Sequence, residues 1–400
     1  MKKFLLIFLT LFFFYVSNSQ NYWMPKANLP GSPRYASVGF SIDSTGYIVG
    51  GQVSSSSYTN EMWALNPFTN TWVQKANFPG GSLYGLTAFV INGIAYVGNG
   101  HFINGTNTNN YYKYDPSTNT WTSVASFPGS ARYGCGFFVL NGKGYVFGGT
   151  TGSVYLKDLY EYDPMTNSWS QKASLPGNER AHPVCFAVNG KGYVTTGKKA
   201  VGVYLNDTWE YDPATNTWSQ KGNIANFGRT VAAGFTINGK GYCGSGVDTS
   251  GSELKDFWEY DPATGQWTQV ATIDEATGRH GASSFSIFNR GYILTGLHGS
   301  TYMKDVWEYF PNNSGVGIAK QKEASFSVFP NPTTGMIYFS INQNSKIQGL
   351  EICDQLGKKI LFAKDISSNA LDLSSLDNGL YFMKIFIDNK VVVKKIQVER

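Results

Sequence analysis

Residues 121–169 read WTSVASFPGSARYGCGFFVLNGKGYVFGGTTGSVYLKDLYEYDPMTNSW. Four short apolar runs are cut by turn residues. The run CGFFVL ends in Asn141-Gly142, YVFGG follows, a loop leads to DLYEYDP, and Asp163-Pro164 through Asn167 carries the chain into Trp169. Asn and Gly accept left-handed backbone, and Asp and Asn side chains bond their own turn backbone, so both breaks are tight turns with a mechanism. The stretch is therefore predicted to be a four-stranded antiparallel meander.

The same unit recurs outward in both directions. Trp23, Trp72, Trp121, Trp169, Trp218 and Trp267 stand at steps of 49, 49, 48, 49 and 49 residues, which demands a repeat architecture. One such sheet cannot bury both of its faces. Six stacked radially close a ring with only short protected edges, a six-bladed β-propeller. The last unit ends at Trp307-Glu308-Tyr309-Phe310 with no Trp strand after it, while residues 22–31 form an orphan YWMPKANLPG. Tyr22 and Trp23 are expected to supply the outer strand of the sixth blade.

Composition agrees with an all-β chain: 45 Gly, 25 Tyr and 10 Trp in 400 residues, with only 15% charged. The formal charge of +5 is not spread evenly, because residues 20–312 hold 19 basic and 19 acidic side chains. A neutral ring lacks the basic footprint of a nucleic-acid binder. Lys2 and Lys3 precede an apolar run from Phe4 to Val16, followed by Ser17-Asn18-Ser19. Residues 1–19 are thus expected to be a signal peptide, with no Cys at its exit to carry a lipid anchor.

The near-doubled glycines, followed in each unit by a Tyr and a Trp, resemble the kelch-repeat family of propellers. They stand as Gly50-Gly51 and Gly148-Gly149, and loosen to Gly98-Asn99-Gly100, Thr196-Gly197, Gly244-Ser245-Gly246 and Thr295-Gly296. The resemblance covers residues 20–312. After an aperiodic linker at 313–324, residues 325–400 carry FPNPTTG, DQLGKKI, LSSLDNGLYFMKI and KKIQV in order. These resemble the C-terminal sorting domain of the type IX secretion system. That resemblance implies export across the outer membrane and a partner in the type IX machinery. Alternating strands and glycine turns give this domain the pattern of a small β-sandwich.

Aligning the units puts Arg34, Leu83, Arg132, Arg180, Arg229 and Arg279 at one position before the innermost strand. His101, His182, His280 and His298 map to the same face, with Tyr35, Tyr84 and Tyr133. A ring of guanidinium groups suits carboxylates, anionic sugars or acidic loops, so Arg34, Arg132, Arg180, Arg229, Arg279, His182 and His280 are the candidate ligand contacts. Glu61, Asp158, Asp207, Asp256 and Asp305 share an equivalent position on that face. The competing reading makes the arginines ion-paired scaffold. The ring reading predicts that Arg132→Ala with Arg229→Ala weakens capture of an anionic partner at little cost in stability; the pairing reading predicts a collapse in melting temperature. Glu179, Asp248, Glu253, Asp274 and Glu275 are the carboxylates outside the repeat pattern.

The histidines lack metal-ligand spacing, and no phosphate loop or nucleophile elbow is present. No metal or cofactor is expected. Cys243 falls where other units carry Val97, Val146 or Val194, and Cys135 and Cys185 lie in inner strands, so buried thiols are expected rather than a disulfide framework. The functional expectation is a secreted or surface-attached binding module, monomeric, taking a glycan or a protein partner on the variable-loop face. The alternative is an enzyme resembling the kelch-type sialic-acid mutarotases or epimerases. Uniform short loops argue against a copper oxidase of the galactose-oxidase kind.

Overall fold

A computed structural model describes residues 21–225, 227–273, 277–311, 327–331, 333–340, 347–354, 358–364, 370–387 and 390–399. The expected signal peptide at 1–19, the linker at 313–324 and the carboxylates Asp274 and Glu275 lie outside the described residues. The described residues fall into two compact units, one within 1–313 and one within 314–400.

The first unit holds six four-stranded antiparallel sheets. From the axis outward, blade 1 is Val38–Ile42, Thr45–Val49, Met62–Asn66 and Thr71–Lys75. Blade 4, which matters most below, is Val184–Val188, Lys191–Thr195, Thr208–Asp212 and Thr217–Lys221. Blade 5 is Ala233–Ile237, Lys240–Gly244, Phe257–Asp261 and Gln266–Val270. The innermost strands touch their neighbours all the way round, so the ring is closed. In blade 6 the outer strand is Tyr22–Lys26, paired antiparallel with Val306–Phe310 and with Trp23 opposite Tyr309. The orphan N-terminal segment does complete the last blade.

Each blade seats on the next through one repeated contact. The glycine before the second-strand Tyr has no side chain, and a Phe from the preceding blade lies against it. A Cβ at Gly192 would stand 2.4 Å from the Phe138 ring, and one at Gly241 would stand 2.2 Å from Phe186. Each Phe stacks in turn on its own cross-strand Tyr, as Phe138 does on Tyr145 at 5.2 Å. Blade 2 carries Ala95 at this position, buried in the same cluster as Phe40. Gly192→Ala is expected to overpack the seam and cost about 1–3 kcal/mol. Denaturant unfolding checks this, and a variant as stable as the parent would contradict the close approach.

The outer edge has its own fastening. Ala27, Ala76, Ala125, Ala173 and Ala271 each follow a blade's outer strand. Each donates its N–H to an Asn side chain of the next blade and accepts from that blade's Trp indole, as Ala173 does with Asn216 at 2.9 Å and Trp218 at 2.8 Å. The other four do the same. Between blades 4 and 5 this clasp is missing. Gly222 and Gly265 replace the Ala and the Asn, and the Trp267 indole bonds Thr208 Oγ1 instead, at 3.0 Å. The repeated tryptophans are thus interblade residues, as their register predicts.

The cysteines are free: Cys135 and Cys243 are buried and Cys185 is partly so. Among its described residues the second unit has a three-stranded sheet and a four-stranded one. Ile337 and Leu371 from the first share a core with Leu350, Ile352, Met383, Ile385 and Ile396 from the second, which is the expected sandwich. Among the described residues no helix is long and apolar enough to cross a membrane.

Candidate functional site

On the long-loop face, each blade sends three consecutive residues to the axis just before its innermost strand. They are Arg34-Tyr35-Ala36, Leu83-Tyr84-Gly85, Arg132-Tyr133-Gly134, Arg180-Ala181-His182, Arg229-Thr230-Val231 and Arg279-His280-Gly281. The first residue points away from solvent. Arg34, Arg180 and Arg229 have no exposed surface, and Arg132 and Arg279 have 2% and 1%. Arg180 Nη1 and Nη2 bond Asp207 Oδ1 and Oδ2 at 2.8 and 2.9 Å, and Nη1 also reaches Thr196 O at 3.2 Å. Arg132–Asp158, Arg229–Asp256 and Arg279–Asp305 repeat the fork, and Arg34 pairs with Glu61 at 2.7 Å. Burial alone would raise the Asp207 and Asp256 pKa values, but the hydrogen bonds and charge of their arginines outweigh it and leave both below the usual carboxylate range. Indoles of Trp209 and Trp258 close the remaining acceptor sites at 2.7 and 2.6 Å.

Arg34, Arg132, Arg180, Arg229 and Arg279, the expected ligand contacts, are thus buried and paired with a carboxylate of their own blade. Their terminal Nη donors are taken up by carboxylates and carbonyls inside each blade, and no guanidinium is more than 2% exposed. Blade 2 lacks both partners at once: Leu83 replaces the Arg, and Asn110 stands where the others carry the acid.

The second and third residues make the mouth itself. The third is held in the left-handed region in all six blades, with φ between 50° and 67°. Glycine suits three of these positions for a further reason, since the next ring lies across it. A Cβ on Gly281 would stand 2.1 Å from Tyr35, and one on Gly134 would stand 2.4 Å from His182. Main-chain bonds link these residues around the axis. Gly85 donates to Ala36 at 2.8 Å, Gly134 to Gly85 at 2.9 Å, His182 to Gly134 at 2.7 Å, Gly281 to Val231 at 2.8 Å and Ala36 to Gly281 at 2.8 Å. The sixth bond, from Val231 N–H to His182 O, is not made. The annulus is open between blades 4 and 5, the seam that also lacks the outer clasp.

Above it runs an arc of aromatic rings. His280 meets Tyr35 at 5.2 Å, Tyr35 meets Tyr84 at 6.4 Å, Tyr84 meets Tyr133 at 5.4 Å, and Tyr133 meets His182 at 5.8 Å. Tyr58 and His101 pack on Tyr84 from outside, at 5.1 and 5.3 Å. Burial pushes the Tyr35 and Tyr84 phenols well up, so both stay neutral hydrogen-bonding groups. A cavity of about 250 Å³ opens inside the arc, lined by Tyr35, Tyr133, Tyr155, Tyr204, His182, His280 and Lys198 among others. Smaller spaces of about 100 and 150 Å³ continue between the inner strands.

The two histidines predicted as ligand contacts therefore come together on one cavity. His182 is pushed down to about 4 by burial and by the Lys198 charge, so it is neutral at pH 7. His280 is lowered mainly by burial, against the pull of Glu253. Glu253 Oε1 lies 3.0 Å from His280 Nδ1 and its Oε2 lies 2.5 Å from His298 Nδ1. His101 bonds Asn107 at 2.7 Å. Of the off-pattern carboxylates, Glu253 reaches a cavity histidine, while Asp248 is occupied by Ser250 and Ser252. Lys198, Thr230 and Tyr204 escaped the sequence reading. Lys198 could have been found, since the equivalent residues are Gln52, His101, Thr150, Val247 and Leu297.

Residues 40–231 match the model for the KLHDC2/KLHL20/DRC7 Kelch-repeats domain. The ring is a kelch-repeat propeller. A solved structure described as "Structure of YjhT" is similar to the kelch ring. It is 20% identical with a TM-score of 0.60, over 70% of this chain and 95% of that one. That likeness is one of fold. Residues 327–399 match the Secretion system C-terminal sorting domain, so the kelch protein is secreted or attached to the outer-membrane surface. No curated protein matches the chain.

Proposed function

We propose that the kelch ring is an extracellular binding module whose ligand is a glycan, one sugar unit of which enters the mouth on the long-loop face. The arc from His280 through Tyr35, Tyr84 and Tyr133 to His182 carries this reading. Tyrosine offers an apolar ring face for the C–H surface of a sugar and a hydroxyl for its polar edge. The cavity of about 250 Å³ sits just below the usual range of ligand sites, which suits a single residue of a chain. An array of neutral and acidic glycans probed with the full chain tests it. Tyr133→Ala is expected to lower capture at least tenfold while the melting curve stays within a few degrees. Capture of no glycan by the wild type would sink the proposal and favour a protein partner.

One observation favours an enzyme as the second reading. Glu253 holds the Nδ1 edge of His280 at 3.0 Å and His280 lines the cavity. A carboxylate behind a neutral imidazole is an arrangement for proton transfer, the step that a sugar mutarotase or epimerase needs. Faster interconversion of sugar anomers with the wild type than with Glu253→Gln would move the assignment to an isomerase.

A further inference from the structure

Three polar groups on one side of the mouth have no partner among the described residues. Lys198 stands at the start of the blade 4 loop, where it bridges Ala181 main chain to main chain. Its ammonium makes no ion pair or hydrogen bond among the described residues. Among the described residues it is the one lysine or arginine in the cavity lining, and none of them places a carboxylate there. Thr230 is 2% exposed, lines the same cavity, and its hydroxyl is without a partner. Val231, next to it in the lining, has the N–H whose annular bond to His182 is missing. In the five other blades that donor is used.

A buried hydroxyl and a main-chain N–H left unsatisfied each cost free energy, and a lone cation at a concave mouth concentrates anions. All three sit at the seam between blades 4 and 5. The blade 4 sequence departs from the repeat there in a concerted way, with Ala181 for Tyr, His182 for Gly and Lys198 for an uncharged residue or His.

We propose that this seam is a carboxylate subsite: Lys198 supplies the charge, Val231 N–H and the Thr230 hydroxyl supply hydrogen bonds, and the occupant is the carboxylate of a sugar acid. The inference rests on the glycan reading and narrows it to uronate-like residues. It also relocates the anion preference that the sequence placed on the arginine ring. The tyrosine arc on the opposite side of the cavity then faces the sugar ring and its hydroxyls.

The full chain is titrated with methyl β-glucuronide and with methyl β-glucoside, which differ in a carboxylate against a hydroxymethyl group, and binding is followed by ligand-observed NMR. Wild type is expected to hold the glucuronide at least tenfold tighter. Lys198→Met should bring the two ligands level, and Lys198→Arg should keep most of the preference. Equal affinity of the wild type for the two, or a preference that survives Lys198→Met, overturns the subsite. If the array shows neutral glycans captured as well as acidic ones, the subsite fails and the glycan reading stands. If no glycan is captured at all, both fail together.

Discussion

Arg180→Ala is expected to destabilise the ring by about 3–5 kcal/mol, the range for breaking one side of a buried ion pair. The substitution leaves Asp207, whose side chain is 15% exposed, without the guanidinium that donates to it and neutralises its charge. It also strips Thr196 O of its donor and opens a void where a fully buried side chain stood. At roughly 2–4 °C per kcal/mol for a domain of this order of size, the melting temperature should fall by many degrees. Blade 2 supplies the control, because it fills the same two positions with Leu83 and Asn110. The double variant Arg180→Leu with Asp207→Asn removes both charges at once and should recover much of the loss, as paired residues in contact are not additive. Differential scanning calorimetry of parent, single and double variants decides it. A single variant that melts like the parent would return the arginines to the role of ligand contacts.

Removal of residues 21–27 should have the larger effect still. Trp23 packs on Phe257 at 4.7 Å and on Tyr309 at 4.9 Å, and its indole donates to Ala271 O at 2.8 Å. Truncating a Trp in such a place costs about 3–5 kcal/mol by itself. The deletion further removes the Tyr22–Phe310 stack at 4.7 Å, the Lys26–Glu308 pair at 2.9 Å and the Asn21 clasp on Ala271. It leaves Val306–Phe310 as a bare edge strand, which invites pairing with another chain. We expect a melting temperature lower than that of the arginine variant and self-association by size-exclusion chromatography. A synthetic peptide of residues 20–28 should reverse both. Unchanged melting would show that ring closure does not depend on this strand.

The number and order of blades were legible because the repeat writes itself in residues with strong local preferences. Asn-Gly, Asp-Pro-x-Thr-Asn and the repeating Trp after it fix where each strand begins and ends. The orphan segment at Tyr22 could be assigned because the last unit visibly lacked a strand. The arginine register was legible too, but its burial was not, since periodicity says which residues are equivalent and not which way they face. Blade 2 held the deciding signal. An Arg that contacts ligand has no reason to disappear together with the acid at Asn110, whereas a paired Arg does. The meeting of Glu253 with His280 crosses from one blade to the next and left only a faint trace, as a carboxylate outside the pattern. The opening between Val231 and His182 left none, because a main-chain bond has no letter in the sequence.

That opening bears on how the ring accommodates what it holds. Blades 4 and 5 still share the bond from Gly197 N–H to Arg229 O at 2.9 Å, so they remain joined at mid-radius. At the rim the clasp is absent, and at the axis the link is absent. The joint therefore works like a gap in a spring washer. A tilt of one blade against the other pivots there on the mid-radius bonds Gly197 N–H to Arg229 O and Arg229 N–H to Leu205 O, with neither an axial main-chain link nor an Ala–Asn clasp to oppose it, whereas any other seam has both. Compliance is thus concentrated at a single radius of an otherwise stiff wheel, beside the groups with hydrogen bonds still to offer.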